Sequence, residues 1–290
     1  MTTVPISAVI LTRDEAVNLP RCLDSLRGLV DEIFVVDSGS TDDTLAIARA
    51  AGAQIVHHDF TGHSAQWQWA LAHLPLQHDW VLGLDADQRL LPELAAELRE
   101  RFADPQHVAG YSAFYVTRRN IFRGKWIRWG GYYPKRLIKL FRRDRLVHEA
   151  ADLLDHHFRV TGQVGTLHHD IIEENLKEDQ IDFWIQKHLR YAELLATEEA
   201  RRQTGRMPTT VQPALFGQPD ERAEWQKRMW VRLPRFVRAP AYFIWRYVFL
   251  LGFLDGKQGF AFHFLHAFWF RLITDLKIDE QRLRHAHPRD

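Results

Sequence analysis

Short apolar runs alternate with stretches of helical spacing through the first hundred positions of this 290-residue chain. Ile6–Thr12, Glu32–Asp37, Gln54–His58 and Trp80–Leu84 read as strands. Ala16–Leu29, Asp43–Ala51, Ser64–Leu74 and Pro92–Phe102 read as helices, the last opening on a proline suited to a first helical position. Such alternation predicts right-handed βαβ units and an α/β, Rossmann-like, mostly parallel sheet flanked by helices. Ligands of such sheets bind beyond the carboxyl ends of the strands, so the residues closing each run carry the interest. They are Thr12 with Glu15, Asp37, and the pair Asp85-Ala86-Asp87.

Two carboxylates two residues apart after a buried strand can converge on one divalent cation where the backbone turns. Hard oxygen ligands suit Mg²⁺ or Mn²⁺. The same residues could also form a solvated turn ahead of the Pro92 helix. Asp37 can accept from a base N–H or a ribose hydroxyl, whereas Ser40 and Thr41 serve more simply to cap the following helix. Cys22, the single cysteine, excludes an internal disulfide and lies on the apolar stripe of the first helix, as an inert core residue would.

The middle of the chain offers further strands at Tyr111–Arg118, Arg136–Arg142 and Gly165–His168. An aromatic, Gly-containing loop from Gly124 to Tyr133 interrupts them, and its Trp and Tyr rings could stack on sugars. A long amphipathic helix is expected from Leu176 to Arg202, with Ile181, Trp184, Ile185, His188, Tyr191 and Leu195 on one stripe. The expected organisation is a catalytic domain over 1–205, a Pro-bearing linker over 206–224 and a tail over 225–290.

That tail changes the meaning of the overall charge. The chain nets +1, which gives no reason to expect a nucleic-acid partner. Residues 225–290, however, hold 12 Lys/Arg against 5 Asp/Glu, and the 224 before them hold 26 against 32. Fifteen of the 35 aromatic residues lie between Trp225 and Phe270. Its apolar stretches, Ala239–Leu254 and Phe260–Ile273, are broken by Arg246, His263, His266 and Arg271 and are too short to span a bilayer. A basic, aromatic, interrupted helix suits the membrane interface. The opening MTTVPISAVILT has neither a basic n-region nor an A-x-A site, so it reads as a strand rather than a secretory signal.

Taken together, VILTRDEAVNLPRCLDSL, EIFVVDSGSTDDT and WVLGLDAD, in this order and spacing, resemble the inverting family 2 glycosyltransferases with the GT-A fold. Gly131-Tyr132-Tyr133-Pro134, Leu140-Phe141-Arg142-Arg143, Val147-His148-Glu149 and Gly252-Phe253-Leu254-Asp255-Gly256 extend the likeness toward the bacterial subgroup resembling lipopolysaccharide inner-core β-glycosyltransferases. The resemblance implies that Thr12, Glu15 and Asp37 hold the nucleoside. It implies that Asp85 and Asp87 form the metal–diphosphate motif and that Glu149 is the general base. His168 would be a third metal ligand, with His169 its neighbour and rival. Gln66-Trp67-Gln68 stands where a Gln-Lys-Asn run is usual, so Arg142 or Arg143 would supply the missing cation. By sequence alone Asp144, Glu173 and Glu174 compete with Glu149.

The resulting expectation is an enzyme moving a sugar from a nucleotide-sugar, UDP-linked, to a hydroxyl of a membrane-anchored glycolipid or saccharide such as lipopolysaccharide core. It would sit peripherally on the cytoplasmic face of the inner membrane, in an oligomeric state the residues do not reveal. The alternatives are a polyprenyl-phosphate glycosyltransferase and a non-catalytic nucleotide- or glycan-binding module of the same fold.

Overall fold

The computed structural model describes residues 3–147, 158–203, 213–216 and 219–286. They fall into two compact units. The first gathers 3–126, 133–147 and 158–180, and the second gathers 127–132 and 181–286.

The first unit is built on a nine-stranded sheet. Its strands are β1 (Val4–Thr12), β2 (Val30–Asp37), β3 (Gln54–His57), β4 (Trp80–Asp85), β5 (Gln88–Leu90), β6 (Ala113–Phe122), β7 (Lys125–Ile127), β8 (Lys135–Arg142) and β9 (Val164–Glu173). The helices are α1 (Leu19–Leu26), α2 (Thr44–Ala50), α3 (His63–His73), α4 (Pro92–Phe102) and the single turn α5 (Gln106–Ala109). Strand order is β3-β2-β1-β4-β8-β6-β9-β5, with β7 on β6. The β3-β2-β1-β4 half is parallel, as the βαβ alternation requires. β8 then runs antiparallel to both β4 and β6, which makes the whole a mixed sheet of the GT-A kind.

Residues alternate cleanly along the central strands. Ile6, Ala8 and Ile10 of β1 join the apolar cluster that includes α1 and α4, while Val9 joins Phe34, Trp67 and Phe141 on the other face. Both faces are thus covered, which explains why these strands read as continuous apolar runs. Pro92 sits in the first turn of α4, as expected, and Pro20 in the first turn of α1, which begins at Leu19 rather than Ala16. β5 and β7, three residues each, are too short to show a pattern in the sequence.

The second unit holds α6 (Ile181–Gln203), α7 (Pro219–Arg232), α8 (Arg238–Ile244), α9 (Gly256–His263) and α10 (Phe270–Ala286). The compact division falls at 180/181, with α6 packed along α10 in the second unit. α7 begins at Pro219, inside the stretch expected to be linker; positions 206–212 and 217–218 of that stretch lie outside the described residues. The buried stripe of α6 is Trp184, His188, Ala192 and Ala196, while Ile181 and Tyr191, expected on it, are exposed. The i, i+4 spacing places two alanines where α10 approaches, and a small side chain permits that approach.

Arg238 is the polar centre of this unit. Its guanidinium bonds Asp275 at 2.7 Å and Glu199 at 3.1 Å, with all three side chains buried. Segment 127–132 docks through Asp255, which accepts from the backbone N–H groups of Arg128 (3.2 Å) and Trp129 (2.8 Å). Gly130 faces the ring of His263 so closely that a Cβ would lie 1.9 Å from it, so only glycine fits.

α8 continues through a π-helical turn, Trp245–Phe249, to a tight bend at Leu251 (φ 61°), and α9 returns alongside. Ring contacts Tyr247–Phe260 (5.6 Å) and Tyr247–Phe253 (6.3 Å) hold the hairpin together. Its outer surface is apolar: Trp245 is 53% exposed, Phe249 65%, Phe253 45% and Leu254 50%. Between positions 225 and 274 the only acid is Asp255, which is buried under the 127–132 segment. No described helix is long and apolar enough to cross a membrane.

Candidate active site

The strand registers bring the sequence-predicted residues to one edge. Thr12 pairs with Asp37, and Leu11 with Asp85, so the ends of β1, β2 and β4 are level. The Thr12 hydroxyl donates to Asp37 Oδ1 at 2.9 Å. Asp37 Oδ2 also accepts from the N–H groups of Gly39 (2.9 Å) and Ser40 (2.8 Å), and Oδ1 from the Ser40 hydroxyl. A carboxylate has about four acceptor positions, and the loop occupies three of them and Thr12 the fourth. Asp37 therefore shapes the 37–40 turn, and a base N–H would have to share an oxygen with it.

The neighbouring loop is sewn to this one. Thr41 N–H donates to Asp14 Oδ1 (2.7 Å), and Glu15 N–H donates to the Thr44 hydroxyl (2.7 Å). Of the capping side chains offered by Ser40-Thr41-Asp42, it is Asp42 that receives the N–H of Thr44 as α2 begins. The Glu15 carboxylate is held by Lys177 Nζ at 2.5 Å and by Asn18 Nδ2 at 2.7 Å. Gln66, buried on α3, donates to the Ser38 hydroxyl (3.0 Å) and the His58 carbonyl (3.1 Å), tying α3 to the same turn. Trp67, beside it, fills the core edge-on to Phe158 at 4.8 Å, which explains an aromatic at that position.

Asp85 is the electrostatic centre. Its Oδ2 lies 3.0 Å from Lys139 Nζ, and its Oδ1 lies 3.6 Å from His63 Nε2 at the start of α3. Burial alone would raise the Asp85 carboxyl, but the charge of Lys139, with those of His63 and Arg118 and the Lys139 hydrogen bond, outweighs it and holds it down at about 2. The carboxylate is therefore ionised at any physiological pH. Gln88 Oε1 accepts from Asp85 N–H at 3.2 Å, and Glu174 N–H donates to the Asp87 carbonyl at 2.9 Å, so β5 and the strand end of β9 brace the turn. Cys22 lies behind it, fully buried, with burial and the two aspartates pushing its thiol up, an inert core position as expected.

Two expected members stand elsewhere. Arg142 pairs with Trp80 at the start of β4, five positions from Asp85, which is about 16 Å along a strand. It bonds Asp144 at 3.2 Å and lies 3.7 Å from Asp79. Lys139, three residues earlier on β8, is the cation that reaches Asp85. His168 is five positions from Glu173, the partner of Gln88, and is exposed with its N–H on the Glu97 carboxylate of α4 at 2.9 Å. β9 lies three strands from β4 in the sheet, about 14 Å at the usual strand spacing, so the structure does not bring His168 beside Asp85.

Glu149 lies outside the described residues. Its three rivals are all engaged as counter-ions. Asp144 pairs with Arg142 and Arg145, Glu173 with Arg118 at 2.7 Å, and Glu174 with Arg21 at 2.6 Å and Arg89 at 2.8 Å. In the aromatic loop, Arg119 lies over Trp126 at 4.6 Å and bonds Asp170 at 2.6 Å, while the Tyr133 hydroxyl donates to the same carboxylate at 3.1 Å.

The residues present suit a divalent cation in part. Asp85 and Asp87 offer two hard-oxygen ligands, one held ionised. Among the described residues no group of three His, Cys, Asp or Glu side chains could hold a metal. The rest of a coordination sphere would fall to water and to phosphate oxygens, the usual manner in which Mg²⁺ is held by proteins.

A parallel α/β half-sheet thus presents Thr12, Asp37 and Asp85 level at the carboxyl ends of its strands, the edge where ligands of such sheets bind. The family model "Glycosyl transferase family 2" matches residues 7–160, and the chain belongs to that family. An uncharacterized glycosyltransferase of Rickettsia felis is 42% identical over 98 residues, 34% of each chain. The lipopolysaccharide core biosynthesis glycosyltransferase LpsC of Rhizobium meliloti is 31% identical over 172 residues, 56% of this chain and 60% of that one. The chain thus spans about a third of the length of the first curated relatives it matches and 60% of LpsC. Glucosyl-3-phosphoglycerate synthase of Mycobacterium tuberculosis, solved with Mn²⁺, UDP and its product, is similar over 42% of this chain and 45% of its own at 29% identity and a TM-score of 0.31.

Proposed function

We propose that this protein is an inverting glycosyltransferase that moves a sugar from a UDP-sugar to a hydroxyl of a membrane-anchored glycolipid or polysaccharide precursor such as lipopolysaccharide core. The observation that carries the donor half is the convergence of Lys139 and His63 on Asp85 at the strand edge shared with Thr12 and Asp37. The likeness to LpsC supports the acceptor class.

In this reading the loops sewn together by Asp14, Glu15, Asp37 and Thr44 cradle the nucleoside, and Lys139 and His63 meet the diphosphate. Asp85 and Asp87 would hold Mg²⁺ or Mn²⁺, which supplies charge neutralisation for the departing diphosphate. A sugar hydroxyl is a poor nucleophile until a base removes its proton. The family resemblance of Val147-His148-Glu149 gives that role to Glu149, and its rivals Asp144, Glu173 and Glu174 are each paired with arginine. Attack opposite the leaving nucleotide is a single displacement and inverts the anomeric centre. Glu149→Gln leaves donor binding unchanged in titration calorimetry and lowers turnover by about 10²-fold or more. Normal turnover would assign the base elsewhere.

The hairpin of α8 and α9 supports a peripheral seat on the cytoplasmic face of the inner membrane, beside a lipid-anchored acceptor. Its exposed aromatics match the interfacial zone, and an acid-free, cationic flank matches anionic headgroups. The double change Phe253→Glu with Leu254→Glu replaces two exposed apolar side chains and lowers partition onto anionic vesicles by at least about tenfold. Flotation on vesicles measures it; unchanged partition would remove the membrane from this reading.

A further inference from the structure

The donor-site reading sends Lys139 to the diphosphate, yet in the structure its ammonium lies 3.0 Å from Asp85. A lone ammonium on a buried strand residue, 8% exposed, points at the carboxylate proposed to receive a divalent cation. Its four-carbon stem lies in the sheet, and Asp85 is the more open partner, with a third of its side chain exposed. His63 closes on the other oxygen. Any cation settling on Asp85 therefore meets a positive charge already in place, and Coulomb repulsion at such short range in a half-buried site is large. A diphosphate relieves the conflict. It carries enough negative charge for both cations, and the flexible lysine stem lets the ammonium turn from the carboxylate to a phosphate oxygen without backbone movement.

We propose that Lys139 is the resident counter-ion of this site, making cation binding at Asp85 and Asp87 conditional on a bound nucleoside diphosphate. Before the donor arrives the lysine neutralises Asp85 and keeps free divalent ions out. When the donor binds, the same ammonium becomes a diphosphate ligand. Lys139 is thereby both a binding residue and the cause of an ordered, or strongly synergistic, assembly of donor and metal. The inference rests on the donor-site reading above, and the two can fail separately.

The test is direct Mn²⁺ binding, read from the paramagnetic resonance signal of free Mn²⁺, with and without UDP. Wild type binds Mn²⁺ weakly alone and roughly tenfold or more tightly with UDP, as coupled sites do; reciprocity requires UDP to gain equally from Mn²⁺. Lys139→Met, similar in volume and uncharged, binds Mn²⁺ alone about tenfold more tightly and loses most of that coupling. Its affinity for UDP without metal falls. Lys139→Arg keeps the charge and stays close to wild type, which separates the charge from any effect on packing. Unchanged Mn²⁺ affinity in Lys139→Met, with Asp85→Asn still abolishing Mn²⁺ binding, would overturn the counter-ion role and leave the donor site standing. Mn²⁺ and UDP binding indifferent to Asp85→Asn would overturn both.

Discussion

Asp85→Asn lowers nucleotide-sugar turnover by about three orders of magnitude. The change removes one of two hard-oxygen ligands and the negative charge opposite Lys139 while preserving shape. Losing the electrostatic stabilisation of a leaving diphosphate costs several kcal/mol, and each 1.36 kcal/mol is a factor of ten in rate. Nucleotide release from a panel of sugar donors, with membrane lipid extract as acceptor, measures it. Circular dichroism should show an unchanged fold, because the Asp85 N–H still meets Gln88 and the strand is buried on both faces. Turnover within tenfold of wild type would place the donor chemistry away from this carboxylate.

Asp275→Asn is expected to cost the second unit about 3–5 kcal/mol, the penalty of leaving a buried cation short of a partner. Arg238 lies fully buried between Asp275 and Glu199, and Phe236 N–H also donates to Asp275 at 2.9 Å. Urea unfolding followed by tryptophan fluorescence checks it, with the midpoint of the C-terminal unit falling. The combined replacement of Arg238, Glu199 and Asp275 by Met, Leu and Leu should recover much of the loss, because an apolar trio needs no compensation for desolvation. Equal destabilisation in the two variants would mean that packing at this place, not charge pairing, stabilises the unit. UDP binding should be unaffected in both, since the donor residues belong to the other unit.

Much of the donor edge was legible before any coordinates. Parallel strands joined by helices must present their carboxyl ends together, so Thr12, Asp37 and Asp85 could be assigned to one place from the alternation alone. The partner of Asp85 could not. β8 carries cations at Lys135, Arg136, Lys139 and Arg142, and nothing in the run KRLIKLFR says which of them meets the carboxylate. The antiparallel register Trp80↔Arg142 decides it, carrying Arg142 to the far end of β4 and leaving Lys139 beside the site. His63 was equally hidden, since a histidine at a helix start has no periodic signature, and only the packing of α3 against the sheet points it at Asp85. His168, like Arg142, is not brought beside Asp85, because a strand end recognised by pattern says nothing about which strand it will lie next to or in what register.

In the C-terminal third the boundary of what could be read is different. Composition alone marked residues 225–274 as a basic, aromatic and nearly acid-free stretch. That property is local and additive, so no fold was needed to see it. Which rings are buried, which face outward, and that a segment from 127–132 joins this unit through Asp255 are decided by tertiary contacts. The chain's alternation and composition therefore determine where carboxylates and aromatics accumulate, because period and charge are properties of neighbouring residues. The pairing of Lys139 with Asp85, the occupation of Asp37 by its own turn and the burial of Arg238 depend on strand register and helix packing. Those are relations between residues far apart in the chain, and only the folded backbone specifies them.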